Sequence, residues 1–242
     1  MNKGIFITGT DTGVGKTFIA AGLIKAMKEQ GINVCPMKPV ESGCSIKKGE
    51  LVPEDAVRLI KVSGVNETLD AVNPYRLKHA LAPSVAAEIE GVKIHRKKIV
   101  NAYYRLLKKY DITIVEGAGG IMVPVYKKYL FLNLAMDLNL PLVVVSRPGL
   151  GTINHTLLTI DVARSRGLNI LGVIINYADK AERGFSERTN PEVIKKLGRV
   201  PLLGIVPHIG KNPSVSPLFA MIATRISAII NKRCNSSSVG GS

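Results

Sequence analysis

The chain has 242 residues, 46% of them hydrophobic and 21% charged, an ordinary globular composition with core material for one large α/β domain and no internal boundary. No apolar run reaches the roughly 18–20 residues that a membrane-spanning helix needs, so a membrane partner is not expected. The net charge of +15 is scattered over Lys47-Lys48, residues 93–98, Lys108-Lys109, Lys127-Lys128 and Lys195-Lys196. With aromatics at 5% and no Trp, this is not the concentrated, aromatic-interleaved stripe expected of a nucleic-acid binder; it suits solvated helix faces and a field that gathers anions.

Met1-Asn2-Lys3 lead straight into the first element, leaving no room for a signal peptide, and a cytoplasmic location is expected. Ile5-Phe6-Ile7 read as a short buried strand, and Phe18, Ala21, Leu23, Ile24 and Met27 have helical spacing over 17–28. Between them stands GTDTGVGKT, residues 9–17. A Gly-rich turn from strand to helix lets successive backbone N–H groups converge on an anion, and the helix N-terminus adds partial positive charge. Lys16 then reaches the terminal phosphates and the Thr17 hydroxyl ligates Mg²⁺. The general phosphate-loop pattern has four residues between its glycines; here Gly9 and Gly15 enclose five, and Thr10 stands where Gly is expected. A purely structural turn is the alternative, and the spacing alone does not say whether a bound phosphate switches a shape or is transferred.

Five more apolar runs follow: NVCPMKPV, DITIVEG, PLVVVSR, ILGVIIN and PLLGIVP. Helical patterns lie between them, at 82–91 (Pro83 in the first turn, Gly91 just past the end), 101–109, 153–166 and 191–197. Continuous apolar strands alternating with helices predict a mainly parallel sheet covered on both faces, a single α/β domain over 1–231. The polar, Gly/Ser-rich end predicts a disordered tail over 232–242.

In such sheets ligands sit beyond the carboxyl ends of the strands. There the second run gives Lys38 in KPVESG, either a surface-snorkelling lysine or a second ammonium beside a γ-phosphate. The third gives Glu116 in EGAGG, a carboxylate suited to Mg²⁺ or one satisfied by backbone N–H groups. Asp55 in PEDAVRL fits a metal ligand and a first-turn carboxylate equally well. The fourth run opens RPGLGTINHTLLT, whose turn N–H groups can receive a carboxylate, with Asn154 as a helix cap in the alternative. Asn176 ends the fifth, able to donate to and accept from an adenine edge or to form a turn. Cys35, Cys44 and Cys234 make no metal or redox spacing with the four histidines.

Taken jointly and in order, GTDTGVGKT, KPVESG, Asp55, NPYRLKHALAPSVAAEIEG, EGAGGIMVPV, GLGTINHTLLT and PLLGIVP resemble the dethiobiotin synthetases, over roughly residues 3–208. The five-residue loop spacing is that family's own form. The resemblance implies a P-loop NTPase fold and an ATP-dependent ligase of biotin biosynthesis that converts diaminopelargonate and CO₂ to dethiobiotin, with Mg²⁺ as cofactor and ATP as co-substrate. It implies Lys16 and Lys38 as catalytic residues, and Thr17, Asp55 and Glu116 as metal ligands. The nucleotide would meet Gly13, Val14, Gly15, Lys16, Thr17, Phe18, Asp55, Glu116, Gly117, Ala118, Gly119, Asn176, Val206, Pro207 and His208. The diamine would meet Thr12, Lys38, Ser42, Gly149, Leu150, Gly151 and Asn154, the last four across a homodimer interface. Gly13 stands where well-known members carry Glu, and Ser84 where the family often has His. Two other readings compete. A nucleotide-switch ATPase of the division-site or DNA-partition type has a lysine where this chain has Asp11. An amidoligase of cobyrinic acid synthesis usually carries a glutaminase domain, for which this chain is short.

Overall fold

Each of the six apolar runs forms a strand of one parallel sheet in the computed structural model, which describes residues 4–178, 184–208 and 217–236, with side chains to residue 230 in the last segment. In chain order the elements are β1 (Gly4–Gly9), α1 (Lys16–Glu29), β2 (Val34–Met37), β3 (Val40–Ser42), β4 (Ser45–Lys47), β5 (Glu50–Val52), α2 (Glu54–Ser63), α3 (Leu69–Val72), β6 (Tyr75–Leu77), α4 (Pro83–Ile89), α5 (Arg96–Leu107), β7 (Ile112–Gly120), β8 (Pro124–Tyr126), β9 (Tyr129–Leu130), α6 (Phe131–Asp137), β10 (Leu142–Ser146), α7 (Thr152–Ser165), β11 (Ile170–Asn176), α8 (Phe185–Gly198), β12 (Leu202–Val206) and α9 (Pro217–Ser236).

The sheet runs β12-β11-β10-β1-β7-β2, with every neighbouring pair parallel. β1 is therefore central, and its carboxyl end lies between those of β7 and β10. Alternate residues of β1 serve opposite layers. Phe6 packs with Tyr103 of α5 and Phe131 of α6, while Ile5 and Ile7 pack with Ile19, Leu23 and Ile24 of α1 and Phe219 of α9. Burying such a side chain stabilises the fold by about 1.5–3 kcal/mol, and the unbroken β-branched strands exist because both faces are covered. Helix α9 comes close to α1 at Gly22, where a Cβ would lie 2.3 Å from the Phe219 ring. Among the described residues no helix is long and apolar enough to cross a membrane.

Three boundaries differ from expectation. Helix α8 begins at Phe185 and carries Pro191 in its interior. A proline reads as a first-turn residue, which hides the turns before it. Helix α7 starts at Thr152 with Gly151 as its N-cap, so Asn154 lies within the first turn and does not cap the helix. Helix α9 was not expected, and its bounds reach Ser236, across the first residues of the anticipated tail; 237–242 lie outside the described residues.

Candidate active site

The chain leaves β1 at Gly9 and enters α1 through Gly15, whose φ of 85° is left-handed. A Cβ there would also lie 2.2 Å from Asn176 Nδ2, so both conformation and space require glycine. No side chain caps α1, which leaves its first-turn N–H groups for a ligand beyond the loop. Lys16 folds back across the loop, its buried Nζ donating to the Asp11 carbonyl at 3.1 Å.

Three further elements converge on the start of α1. Glu116, at the middle of β7 and opposite Ile7 of β1, is fully buried, so the sequence's end-of-strand position for it is corrected by the four further residues of β7. Its Oε1 accepts from Thr17 Oγ1 at 2.8 Å and from Lys38 Nζ at 2.5 Å. Lys38 follows β2 directly; its N–H donates to the Val72 carbonyl and its carbonyl accepts from Asn73 Nδ2. Its side chain is 3% exposed and turns inward rather than snorkelling out, with Nζ also 3.1 Å from Asp55 Oδ2 in the first turn of α2. Asp55 is thus a first-turn carboxylate of α2 that faces the Lys38 ammonium.

The charges follow from this packing. Burial pulls the Lys38 ammonium down, but Glu116 and then Asp55 outweigh it and hold it above its ordinary range. Burial pushes the Asp55 carboxyl up, and the Lys38 charge more than reverses that, keeping it below the usual range. Lys16 lacks such a close partner. Burial, with the Lys38 charge adding to it, brings Lys16 down to about 8. Burial raises Glu41, beside Lys38, to about 7 against the N–H bonds from Asp55 and Ala56.

Because a bound triphosphate favours the charged form of Lys16, ATP binding near pH 8 is expected to be accompanied by net proton uptake. Calorimetry in buffers of different ionisation enthalpy measures the uptake, which Lys16→Met should abolish. Uptake that survives that change would assign the proton elsewhere.

A cleft of ≈ 520 Å³ opens over this cluster. Its polar lining is Thr12, Lys16, Thr17, Lys38, Glu41, Ser42, Asp55 and Glu116, and Leu81, Pro83, Ala118 and Val123 are among its apolar lining. A second cavity of ≈ 360 Å³ lies across the loop, bounded by Gly13, Val14, Arg147, Pro148, Gly149, Asn176, Tyr177 and Ala178. Thr12 and Gly13 line both, so the glycine loop joins the two cavities. The buried Asn176 spends Nδ2 on the Val14 carbonyl at 2.9 Å, and its Oδ1 has no partner, so only its acceptor remains for a base. Val206, Pro207 and His208 line neither cavity; His208 donates through Nδ1 to the carbonyl of Ala178, which lines the second, and Val206 pairs with Asn176.

Not every expected residue joins the cavities. The Phe18 ring packs edge-on against Phe219 with centroids 6.0 Å apart, leaving only its backbone for a ligand. Gly117 is buried against Phe6 and Phe131, while Ala118 and Gly119 line the cleft. Gly149 borders the second cavity, but Leu150, Gly151 and Asn154 border neither and are exposed, Leu150 by 82%. The sequence reading assigned no role to Glu41, Arg147 or Val123. Arg147 lies 4.0 Å from Asp11 and donates to His155 Nδ1 at 3.3 Å; its only signal was its place after a strand.

For Mg²⁺ the donor set is of the right chemistry. Thr17, Asp55 and Glu116 offer hard oxygens, and Glu116 Oε2 is buried without a partner. That cation is commonly held by one or two carboxylates together with substrate phosphates, so these residues fit it.

The parallel sheet, the glycine loop and the carboxylates beside it define a nucleotide-binding domain of the phosphate-loop class, and a family model described as an AAA domain matches residues 3–214. Solved structures agree on the fold alone. The cell division ATPase MinD of Pyrococcus furiosus superposes with a TM-score of 0.56 at 18% identity, over 95% of this chain and 100% of that one. The MinC:MinD complex of Aquifex aeolicus gives 0.60 at 18%, over 93% and 96%. Sequence carries the comparison further. The ATP-dependent dethiobiotin synthetase of Thermodesulfovibrio yellowstonii is 42% identical over 216 residues, 86% of this chain and 90% of that protein. Those of Methanocaldococcus jannaschii and Bacillus subtilis strain 168 are 45% and 41% identical, over 84% and 86% of this chain and 92% and 88% of theirs. The chain belongs to the ATP-dependent dethiobiotin synthetase family.

Proposed function

We infer that this chain carboxylates 7,8-diaminononanoate (diaminopelargonate) and closes its ureido ring at the expense of ATP, giving dethiobiotin, ADP and phosphate. The observation that carries the reading is the inward turn of Lys38 onto the carboxylates beside Thr17, which sets a second fixed cation near Lys16 where a γ-phosphate would lie. A switch needs a phosphate sensor; transfer needs charge neutralised on both the acceptor and the moving phosphoryl group.

One substrate amine attacks CO₂, forming a C–N bond and losing a proton to give a carbamate. A carbamate oxygen attacks the γ-phosphorus as the bond to ADP breaks, and the second amine then displaces phosphate from the carbamoyl carbon. Lys16 and Lys38 offset the charge on carbamate and γ-phosphate. Thr12 and Ser42, on the cleft wall, orient the carbamate and amines. Thr17, Asp55 and Glu116 would hold Mg²⁺, which neutralises the β- and γ-phosphates when bound. The Asn176 carbonyl accepts from the adenine amino group. We assign the GLGTIN turn with Asn154 to the substrate carboxylate, held across a two-fold dimer, and place the enzyme in the cytoplasm with no nucleic-acid or membrane partner.

ADP release with 7,8-diaminononanoate and bicarbonate, each omitted in turn, tests the reading. Release is expected to require both. Equal hydrolysis without the diamine, stimulated instead by DNA or lipid vesicles, overturns it in favour of a nucleotide switch.

A further inference from the structure

Glu41 lies in β3, three residues beyond Lys38 and 6% exposed. Its two carboxylate oxygens accept from the N–H groups of Asp55 and Ala56 at 2.9 and 3.0 Å. These are the second and third residues of α2, whose N-cap is Pro53 and receives no side-chain cap. The second and third N–H groups are the ones an Asp or Ser N-cap normally serves. Here they are served from 14 and 15 residues away, across the β4–β5 hairpin. One short segment therefore grips Asp55 twice, Glu41 by the backbone and Lys38 by the carboxylate.

The two grips are not equivalent during turnover. Lys38 has to turn part of its charge from the carboxylates to the incoming phosphate. Once it does, Asp55 sits in the first turn of a helix that lacks a local cap, its side chain 42% exposed. The Glu41 clamp is the contact that does not compete with the nucleotide.

We propose that Glu41 is a positioning residue for the cation centre: it holds the first turn of α2 so that the Asp55 carboxylate stays in reach of a divalent ion shared with Thr17 and Glu116. The proposal rests on the reading of Asp55 as a cation ligand. Glu41 also borders the cleft, and the role proposed for it is the one it exerts through the first turn of α2. Groups that support a metal ligand from behind typically change metal affinity by about 10–100-fold when removed.

Mn²⁺ serves as the probe, with free ion followed by electron paramagnetic resonance in the presence of saturating ADP. Glu41→Gln presents an amide N–H to one of the two N–H donors, and Glu41→Ala removes the clamp. Both are expected to raise the Mn²⁺ dissociation constant about 10-fold, and Glu41→Asp, which keeps the carboxyl group but shortens the reach, by less. ADP affinity in excess chelator should stay within about twofold, since the loop itself is untouched. Thr68→Ala removes the side-chain cap of α3, a bond to the Ala71 N–H, and should lower the melting temperature without moving the Mn²⁺ constant. Should Glu41→Ala not fold, Glu41→Gln and Glu41→Asp carry the test. Wild-type Mn²⁺ binding by the Glu41 variants, with Asp55→Asn weakened, makes Glu41 a helix cap and nothing more. Wild-type binding by Asp55→Asn as well removes the cation reading of Asp55 and the proposal with it.

Discussion

Replacing Lys38 by alanine is expected to lower kcat by about 10²–10³ while ATP affinity changes much less, because the lost ammonium meets charge that develops as the phosphoryl group moves. Lys38 does not sit in solvent awaiting that moment. It bridges Asp55 and the fully buried Glu116, so its loss also strands a buried carboxylate. Breaking such a pair from one side costs about 3–5 kcal/mol, and a lower melting temperature should accompany the rate loss. The two effects separate in the double variant Lys38→Met with Glu116→Gln, which should regain stability and remain inactive. The pH profile distinguishes the two lysines. A lysine whose folded value is raised contributes stability fully present below its ordinary 10.5 and lost only as pH climbs through the folded value, so Lys38 should add no dependence between pH 6 and 9. Lys16, brought down to about 8, does the opposite: the cost of burying its charge eases as pH rises from about 8 toward 10.5. Lys38→Ala with wild-type kcat would remove this lysine from the transfer step.

The strands were legible because each is buried on both faces, and that requirement writes an unbroken apolar run. The three-residue strands β3 and β6 leave no such trace, since they exist by pairing with each other, Val40 opposite Tyr75, and not by any pattern of their own. Helix α9 did carry a signal, with Phe219, Ile222, Ala223, Ile226 and Ile230 at helical spacing and buried, and Pro217 at its first position is an ordinary helix start that the strand-centred pattern passed over. The loop residues Lys16 and Thr17 declare their roles by position. The partnership of Lys38 with Glu116 does not, because the residues lie 78 apart and meet only when β2 pairs with β7. Glu41 was invisible for a similar reason: a carboxylate inside an apolar run signals a partner but not which one. The fold also resolved one open choice, since a helix that starts at Thr152 leaves Asn154 no capping role.

That last point bears on the proposed dimer. Asn154 is exposed and its side chain makes no hydrogen bond among the described residues, and Leu150 projects 82% exposed from the same turn. Neither lines the cleft that holds Lys16 and Lys38. On the proposed reading, a diamino acid with its amines near Lys38 would carry its carboxylate toward the edge of the chain, where such exposed groups could meet it. A two-fold axis would set this turn of each subunit against the substrate of the other. Mixing separates the arrangements. An Asn154→Ala subunit and a Lys16→Ala subunit, each nearly inactive alone, are mixed in equal amounts and allowed to exchange. Random reassembly makes about half of the dimers heterodimers, each with one of its two sites free of both changes, so about a quarter of wild-type, diamine-dependent activity should return. If Asn154 instead serves the Lys16 of its own chain, every site in the mixture keeps one lesion. Heterodimers that form without recovering activity therefore end the shared-site proposal.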